Sequence, residues 1–293
     1  MTRSMMLVIN PHSGRGLSKT ALGTIVSRLC DADYIVTVFI SHDQTPEELA
    51  FEYAKQFDLV VCVGGDGTLS GVISGMLRAK TETPVGYIPT GTANDVATTL
   101  TLSRDPASAA LKILNGTPKP LDIGRFHDRY FTYIAAFGAF TGVSYQTTQS
   151  AKRALGHFAY VLGGLAEMPT IKPRYMTIEY DDSVIKGDFI FGGVINSTSV
   201  AGFIKLNPEY VDLADGKFEV VLVKQPIGLP DFLDIMSGLT VGTYDGDNFQ
   251  VLHASRVKFI FEEEVAWAVD GENGGMHKEV EITNCHKAIE IVM

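Results

Sequence analysis

The sequence predicts an N-terminal α/β unit, a parallel sheet with helices on both faces, followed by a mainly antiparallel β-sandwich. Three observations predict it. Across residues 1–120 short apolar runs alternate with helical patterns, as a parallel sheet with crossover helices requires. From residue 121 onward strand-like runs bounded by Gly, Asp and Asn dominate, the pattern of antiparallel sheets or a sandwich. The 293 residues leave room for a core in each part. The predicted domains are 1–120 and 121–293, with a change of pattern at Pro120-Leu121-Asp122 and no flexible linker between them.

The first strand is the apolar run 5–9, ended by Asn10-Pro11, and a helical stretch covers about 17–30. Residues 34–40 read as a second strand. Thr45-Pro46-Glu47-Glu48 has an N-cap hydroxyl, proline at the first helical position and acid at the third, a capping box opening a helix to residue 56. The buried strand 59–63 runs into Gly64-Gly65-Asp66-Gly67 and another helix. Strand 85–88 leads to the turn Pro89-Thr90-Gly91-Thr92, and Asp105-Pro106 caps a helix ending near Asn115-Gly116. In the second part the expected strands are 175–180, 189–195, 218–223, 256–261, 265–269 and 280–282, with helical insertions at 148–168 and 229–240. The last strand, 288–292, could pack in the second domain or return to the first.

Bulk properties exclude several classes. Hydrophobic residues make up 45% and charged residues 20%, a globular composition. The net charge of −10 opposes nucleic-acid binding and long-range attraction to anionic membranes. Any membrane contact is expected to be local; Lys152, Arg153, Lys172 and Arg174 face only Glu167 in the segment 144–175, though a solvated charge cluster explains them as well. No apolar run reaches the length of a membrane span, and the five apolar residues before Asn10 are too few for a signal peptide. Cys30, Cys62 and Cys285 are far apart without metal-ligand spacing, which argues for buried thiols and a cytoplasmic protein.

Gly64-Gly65-Asp66-Gly67-Thr68 sits where an open α/β sheet binds ligands, at a strand's carboxyl end and a helix start. Glycines let backbone approach a phosphate, and helix N-terminal amides favour the anion. A carboxylate in such a place makes sense if a cation is present too, so Asp66 points to a magnesium-bound nucleotide. Two further loops lie at equivalent strand ends: Asn10-Pro11-His12-Ser13-Gly14-Arg15-Gly16 and Pro89-Thr90-Gly91-Thr92-Ala93-Asn94-Asp95. Gly14-Arg15-Gly16-Leu17-Ser18-Lys19 fails as a dinucleotide fingerprint at its sixth position, and Ser18-Lys19-Thr20 lacks the glycine of a Walker A loop.

These motifs, in this order and spacing, resemble the diacylglycerol-kinase catalytic domain. The resemblance continues through Asp122-Ile123-Gly124, Gly138, Pro208, Asp215-Gly216 and Asp270-Gly271-Glu272, and so covers essentially the whole chain. Gly-Gly-Asp-Gly alone is shared with NAD kinases and phosphofructokinases. The resemblance implies an ATP- and Mg2+-dependent lipid kinase with catalysis in a cleft between its domains. It implies ATP binding by Asn10, Pro11, His12, Ser13, Gly14, Gly64, Gly65, Asp66, Gly67, Thr68, Leu69, Ser70 and Thr92, with Ser41 in the place of a nucleotide-contacting threonine. It further implies a structural magnesium held by the Asp215 carboxylate and the carbonyls of Asp212 and Lys217.

The general base is expected at Asp270 or Glu272, which follow the apolar strand 265–269 in a glycine-rich turn. Phosphoryl transfer needs such a group to accept the acceptor hydroxyl's proton. The expected acceptor is diacylglycerol or a related lipid at a membrane surface, received in an apolar pocket of the second domain. Phe131, Phe137 and Phe140 are candidates for that pocket or for the core. The chain departs from the family after Asn196, where Ser197-Thr198-Ser199-Val200-Ala201-Gly202 holds one glycine instead of several. That puts the acceptor's identity in question. The rival expectations are a kinase for a soluble acceptor such as NAD or a sugar phosphate, and a non-catalytic nucleotide-binding regulatory module. The resemblance makes a homodimer plausible. The histidines show no metal-ligand spacing, Ser197 and Ser199 lack a nucleophile elbow, and Trp267 reads as core.

Overall fold

β1 (Arg3–Ile9) is buried from Met5 onward and pairs in parallel with β2 (Tyr34–Ile40) on one side and β3 (Leu59–Gly64) on the other. β3 pairs in parallel with β4 (Val85–Pro89), giving the order β2-β1-β3-β4. This is a computed structural model that describes residues 3–14, 19–30, 32–139, 141 and 172–293. The chain divides into two units. The first comprises Met1–Ile123, Arg129–Thr132 and Cys285–Met293; the second comprises Gly124–Asp128 and Tyr133–Asn284.

In the first unit β3 and β4 are buried along their whole length, as the continuous apolar runs predict. On one face α1 (Lys19–Cys30) and α5 (Pro106–Asn115) bring Ile25, Leu29, Ala110 and Ile113 into a core with Leu7, Val61 and Ile88. α3 (Asp66–Ala79) packs on β3, and α2 (Pro46–Tyr53) packs on α3. Their close approach depends on Gly75, where a Cβ would sit 2.2 Å from the Glu47 carbonyl oxygen. The capping box forms as expected: Glu48 N donates to Thr45 Oγ1 at 3.2 Å, and Thr45 N donates to Glu48 Oε2 at 2.8 Å. Asp105 caps α5 through the Ser108 amide at 2.8 Å.

The end of the last strand belongs to the first unit. Ile291 pairs in parallel with Val85, and Thr117 and Met293 exchange backbone bonds of 3.1 and 3.2 Å. Asp122, fully buried, holds that segment. Its Oδ1 accepts the Lys287 amide at 2.6 Å and lies 3.1 Å from His286 Nδ1.

In chain order the remaining strands are β5 (Pro118–Phe126), β6 (Arg129–Phe131), β7 (Ile134–Gly138), β8 (Arg174–Tyr180), β9 (Ser183–Phe189), β10 (Phe191–Ile195), β11 (Ser199–Val200) and β12 (Ile204–Lys205). They are followed by β13 (Phe218–Val223), β14 (Phe249–Ala254), β15 (Arg256–Val269) and β16 (Glu272–Val292). The second unit builds the antiparallel order β14-β13-β10-β7-β15. The first half of β15 pairs with β8, which pairs with β9, and β15 turns back into β16 at Asp270-Gly271. Phe126, Phe137, Phe259, Phe261 and Trp267 form an aromatic core, with Trp267 5.0 Å from Phe137 and 5.3 Å from Phe126 between ring centres. α4 (Asp95–Thr99) and α6 (Leu229–Val241) are the remaining α-helices among the described residues. No helix among them is long and apolar enough to cross a membrane.

The structure differs from the sequence reading at several strands. The runs 256–261 and 265–269 are one strand, β15, whose register against β16 shifts between Ile260 and Val265. Glu262-Glu263-Glu264 marks that irregularity, exposed where the apolar alternation lapses. The run 189–195 is two strands divided at Ile190. β5, β7 and β14 were not read as strands, and β16 extends far beyond 280–282 because its charged residues line an exposed face. The expected helix at 148–168, with Lys152 and Arg153, lies outside the described residues.

Candidate active site

Strands β1 and β3 are neighbours whose chains depart in opposite directions, β1 toward β2 and β3 toward β4. That is the switch point of an open parallel sheet, outside whose carboxyl ends ligands bind. The loops carrying Asn10–Gly14 and Gly64–Thr68 both begin there, and the loop after β4 lies beside them.

Hydroxyls and one amide tie the first two loops together. Asn10 Nδ2 donates to Thr68 Oγ1 at 3.1 Å, and Ser13 Oγ lies 3.3 Å from the same oxygen. The Gly65 amide donates to Ser13 Oγ at 3.3 Å, and Asn10 Oδ1 receives the His12 amide at 2.9 Å. Ser13 and Thr68 are therefore buried, while Pro11, His12 and Gly14 are exposed. Gly14 has φ +58°, and a Cβ on it would sit 2.3 Å from the Thr90 carbonyl oxygen. At Gly91 a Cβ would come within 2.6 Å of the Gly65 Cα. No side chain fits at either place, so the three loops meet backbone to backbone.

Asp66 is the first residue of α3, with Gly65 at the N-cap. It is buried, and its carboxylate accepts two amides at the start of α4: Asp95 N at 3.0 Å and Val96 N at 3.1 Å. Those are donors that a helix start leaves without partners of its own. The preceding residue, Asn94, adopts φ 53° and donates from Nδ2 to the Gly91 carbonyl at 2.9 Å. Burial, reinforced by the Asp66 charge, pushes the thiol of Cys62 well above its ordinary range.

The other residues expected at a nucleotide fall into two groups. Gly67 and Thr92 are exposed and Ser70 is half-buried. Ser41 is buried after β2, with its amide 2.9 Å and its hydroxyl 3.3 Å from the Ile9 carbonyl. Leu69 is fully buried, with its side chain in the core of the first unit.

In the second unit Asp270 and Glu272 occupy the β15–β16 turn. Asp270 has φ 48° and is buried; its Oδ1 accepts the amides of Tyr133 at 3.1 Å and Ile134 at 3.2 Å. Its own amide donates to the Ile134 carbonyl at 2.8 Å, so this carboxylate fastens the start of β7. Glu272 is exposed. Beside the turn opens a cavity of about 70 Å³ whose wall includes Gly271, Ala268, Phe191, Val200, Ala201 and Phe203. None of its described lining residues is charged. Val200 and Ala201 come from the segment after Asn196 that departs from the family pattern, and Ala201 has φ 51°.

Of the phenylalanines named for such a pocket, Phe131 and Phe137 are fully buried, Phe137 within the aromatic core, and Phe140 lies outside the described residues. The phenylalanines that line the cavity are Phe191 and Phe203. Neither was singled out, because nothing in the sequence says which sheet face each ring occupies. Asp212 and Asp215 each fold back on the chain: Asp212 Oδ1 accepts the Ala214 amide at 3.0 Å, and Asp215 Oδ1 accepts the Lys217 amide at 2.8 Å. Among the described residues no three His, Cys, Asp or Glu side chains gather as a metal cluster.

Comparison with known proteins finds a family match for each part of the chain. The family model for the diacylglycerol kinase catalytic domain matches residues 4–126. The model for the YegS C-terminal NAD kinase beta sandwich-like domain matches residues 137–292. The diacylglycerol kinase of Bacillus subtilis (strain 168) is 33% identical over 294 residues, 98% of this chain and 95% of that protein. The diacylglycerol kinase of Staphylococcus epidermidis (strain ATCC 12228 / FDA PCI 1200) is 33% identical over 281 residues, 94% of this chain and 87% of that protein. The crystal structure of a diacylglycerol kinase from Bacillus anthracis str. Sterne covers 99% of this chain, and 96% of its own, with a TM-score of 0.78 at 20% identity, a likeness of fold.

Proposed function

The chain belongs to the diacylglycerol kinase catalytic-domain family, and from that membership we propose that it transfers the γ-phosphate of ATP to a hydroxyl of diacylglycerol or a related lipid. It is a kinase. The observation that carries the lipid acceptor is the cavity beside Asp270-Gly271-Glu272, walled by Phe191, Val200, Phe203 and Ala268 without a charged group. A phosphate-bearing soluble acceptor such as NAD or a sugar phosphate would need cationic partners, and among the described lining residues only Tyr133 and Thr141 carry polar side chains.

For ATP the supporting features are the glycine loops at the sheet's switch point. The amides of Ser13, Gly65 and Thr68 are engaged within the loops, by Asn10 O, Ser13 Oγ and Gly65 O, so attraction for phosphate rests on the α3 N-terminus with its partial positive charge. The hydroxyl network of Asn10, Ser13 and Thr68 sets the shape of those loops before ligand arrives.

Magnesium fits these residues on chemical grounds. The Asp66 carboxylate accepts an amide on each oxygen, and a carboxylate at a phosphate site is the hard oxygen ligand that magnesium takes. At the second place, Asp212 and Asp215 both help to raise the carboxyl of nearby Glu219, a concentration of negative charge that a cation would relieve. One carboxylate with two carbonyls suits an ion that keeps several waters. Bound there and at the phosphates, magnesium would neutralise charge and support the fold of the 212–217 loop.

The two candidate bases differ in their surroundings. Asp270 is buried with Oδ1 committed to two amides, whereas Glu272 is exposed, so we assign proton acceptance to Glu272 and positioning of the turn to Asp270. Contact with a membrane surface follows from the acceptor's chemistry.

The test is phosphate transfer from labelled Mg·ATP to diacylglycerol, monoacylglycerol, sphingosine, ceramide, undecaprenol and phosphatidylglycerol in mixed micelles. NAD serves as the soluble control and Glu272→Gln as the blank. A labelled lipid absent from the blank establishes the class and names the acceptor. Label on NAD alone would replace the lipid reading.

A further inference from the structure

The solvent side of α6 carries an apolar stripe. Leu229, Leu233, Ser237 and Val241 follow one another at four-residue spacing and so share one ridge of the helix. Leu229 is 54% exposed, Leu233 50% and Val241 67%, and Ile227, just before the helix, is 96% exposed. The opposite side is buried through Phe232, Ile235, Met236 and Leu239. A helix apolar on both sides belongs inside a protein or against a second apolar phase, not facing water. We propose that this stripe, with the turn at Ile227, is the surface that enters a lipid bilayer and brings the acceptor within reach of the apolar cavity, a proposal that rests on the lipid-acceptor reading above.

The turn is built to present Ile227. Pro226 and Pro230 restrict the backbone on either side of it. The Ile227 amide donates to Asp231 Oδ2 at 2.9 Å, and the Phe232 amide to the Gly228 carbonyl at 3.1 Å. The side chain is therefore exposed on a bonded, preshaped turn. Asp231 and Asp234 are the only charged residues of α6, and Asp234 Oδ2 accepts Asn248 Nδ2 at 3.1 Å. With no lysine or arginine on the helix and a net charge of −10, attraction to lipid phosphates contributes little. Apolar insertion is the contact these residues offer, and its strength scales with the apolar area that enters the acyl boundary.

The stripe is structurally continuous with the cavity. α6 packs on β12, and a Cβ on Gly242, at the helix end, would sit 3.1 Å from the Lys205 carbonyl oxygen. Ile204 of the same strand lines the cavity. At its other end α6 follows β13, which pairs with β10 at Val223 and Phe191, and Phe191 lines the cavity too. A second copy of the chain is a poorer occupant. Four aliphatic side chains along about 20 Å of helix fall well short of the roughly 20–30 residues a side of a stable protein interface.

Co-sedimentation is measured without ATP, in EDTA, on phosphatidylcholine vesicles carrying diacylglycerol, at low and at high salt. We expect binding that high salt does not weaken and that Ile227→Asp and Leu233→Asp each weaken by about tenfold. Val184→Asp, at a comparably exposed aliphatic on β9, should leave it unchanged. Transfer is then measured to long-chain diacylglycerol in the vesicles and to a short-chain diacylglycerol dissolved as monomers. The Ile227 and Leu233 variants should lose most of the first and keep the second. Vesicle binding that ignores both substitutions, or that Val184→Asp loses equally, overturns the proposal, as does the absence of binding by the wild type. A wild-type dimer that Ile227→Asp splits, without vesicle binding, overturns it in favour of a second copy. If the wild type transfers to neither acceptor, the lipid-acceptor reading fails, while sedimentation that depends on Ile227 and Leu233 still upholds the membrane surface.

Discussion

Asp95 donates its backbone amide to Oδ2 of Asp66 across 3.0 Å, so the acid of the Gly-Gly-Asp-Gly motif also secures the start of α4. Its Oδ1 takes the next amide, from Val96. Asp66→Ala should therefore do two things at once. It should lower stability by about 1–3 kcal/mol, because two helix-start donors lose their buried acceptor, and it should abolish transfer. Asp66→Asn keeps one acceptor and turns a donor toward the other amide, so stability should return only in part while activity stays lost. Urea unfolding beside turnover separates the effects. Full activity in a stable Asn variant would confine Asp66 to holding α4.

Asp270 and Glu272 should separate cleanly under substitution. Asp270→Asn retains an Oδ1 able to accept the Tyr133 and Ile134 amides, and asparagine tolerates the left-handed backbone at φ 48°. Its stability should be nearly unchanged, and kcat should fall by less than about tenfold if the residue only positions the turn. Asp270→Ala should unfold at lower urea. Glu272→Gln, on an exposed side chain, should leave stability alone and reduce kcat by about 10²–10⁴. The opposite order of kcat values would assign the base to Asp270.

Much of the first site is legible in the sequence because its parts are local. A buried apolar run, a glycine string and a helix start are consecutive at 59–68, and the sheet order follows from alternating strand and helix patterns. What is not legible is long-range. The bonds from Tyr133 and Ile134 to Asp270 join residues 137 and 136 apart in sequence, and that of Lys287 to Asp122 joins residues 165 apart. No local pattern reports them, although Asp122 and Asp270 both stand in recognised motifs. The length of β16 escaped for a different reason. Exposed Glu279 and Glu281 alternate with buried Val280 and Ile282, and the preceding His277 and Lys278 are polar, so only a short apolar run marks a strand that continues on both sides.

Stability should depend on pH through Glu219. Burial first, then the charges of Asp215 and Asp212, push its carboxyl up to about 8 from 4.5, with its own backbone amide acting in the opposite sense. The folded chain then keeps a proton that the unfolded chain releases above its ordinary value. The stability this supplies is complete below pH 4.5 and is lost as pH rises to about 8. The slope should approach about 1 kcal/mol per pH unit within that window. Urea midpoints in EDTA between pH 5 and 8.5 should fall for the wild type and stay flatter for Glu219→Gln. Parallel curves would show that Glu219 titrates normally.

The last prediction concerns Ala201, a residue with a Cβ at φ 51°, where glycine is favoured. It is followed by Gly202 at φ 76°, and it lines the apolar cavity beside Gly271. Ala201→Gly removes left-handed strain but adds freedom to the unfolded chain, so stability should change by less than about 1 kcal/mol. The cavity gains the volume of one methyl group at its wall. If the acceptor enters there, KM for the lipid should shift while KM for ATP and kcat hold. Ala201→Leu fills the same space and should raise the lipid KM by about tenfold or more, since overpacking of an apolar wall costs about 1–3 kcal/mol. Equal lipid KM values across Gly, Ala and Leu at this position would place the acceptor elsewhere. A change in kcat alone would mean that the segment after Asn196 positions the catalytic turn without touching the lipid.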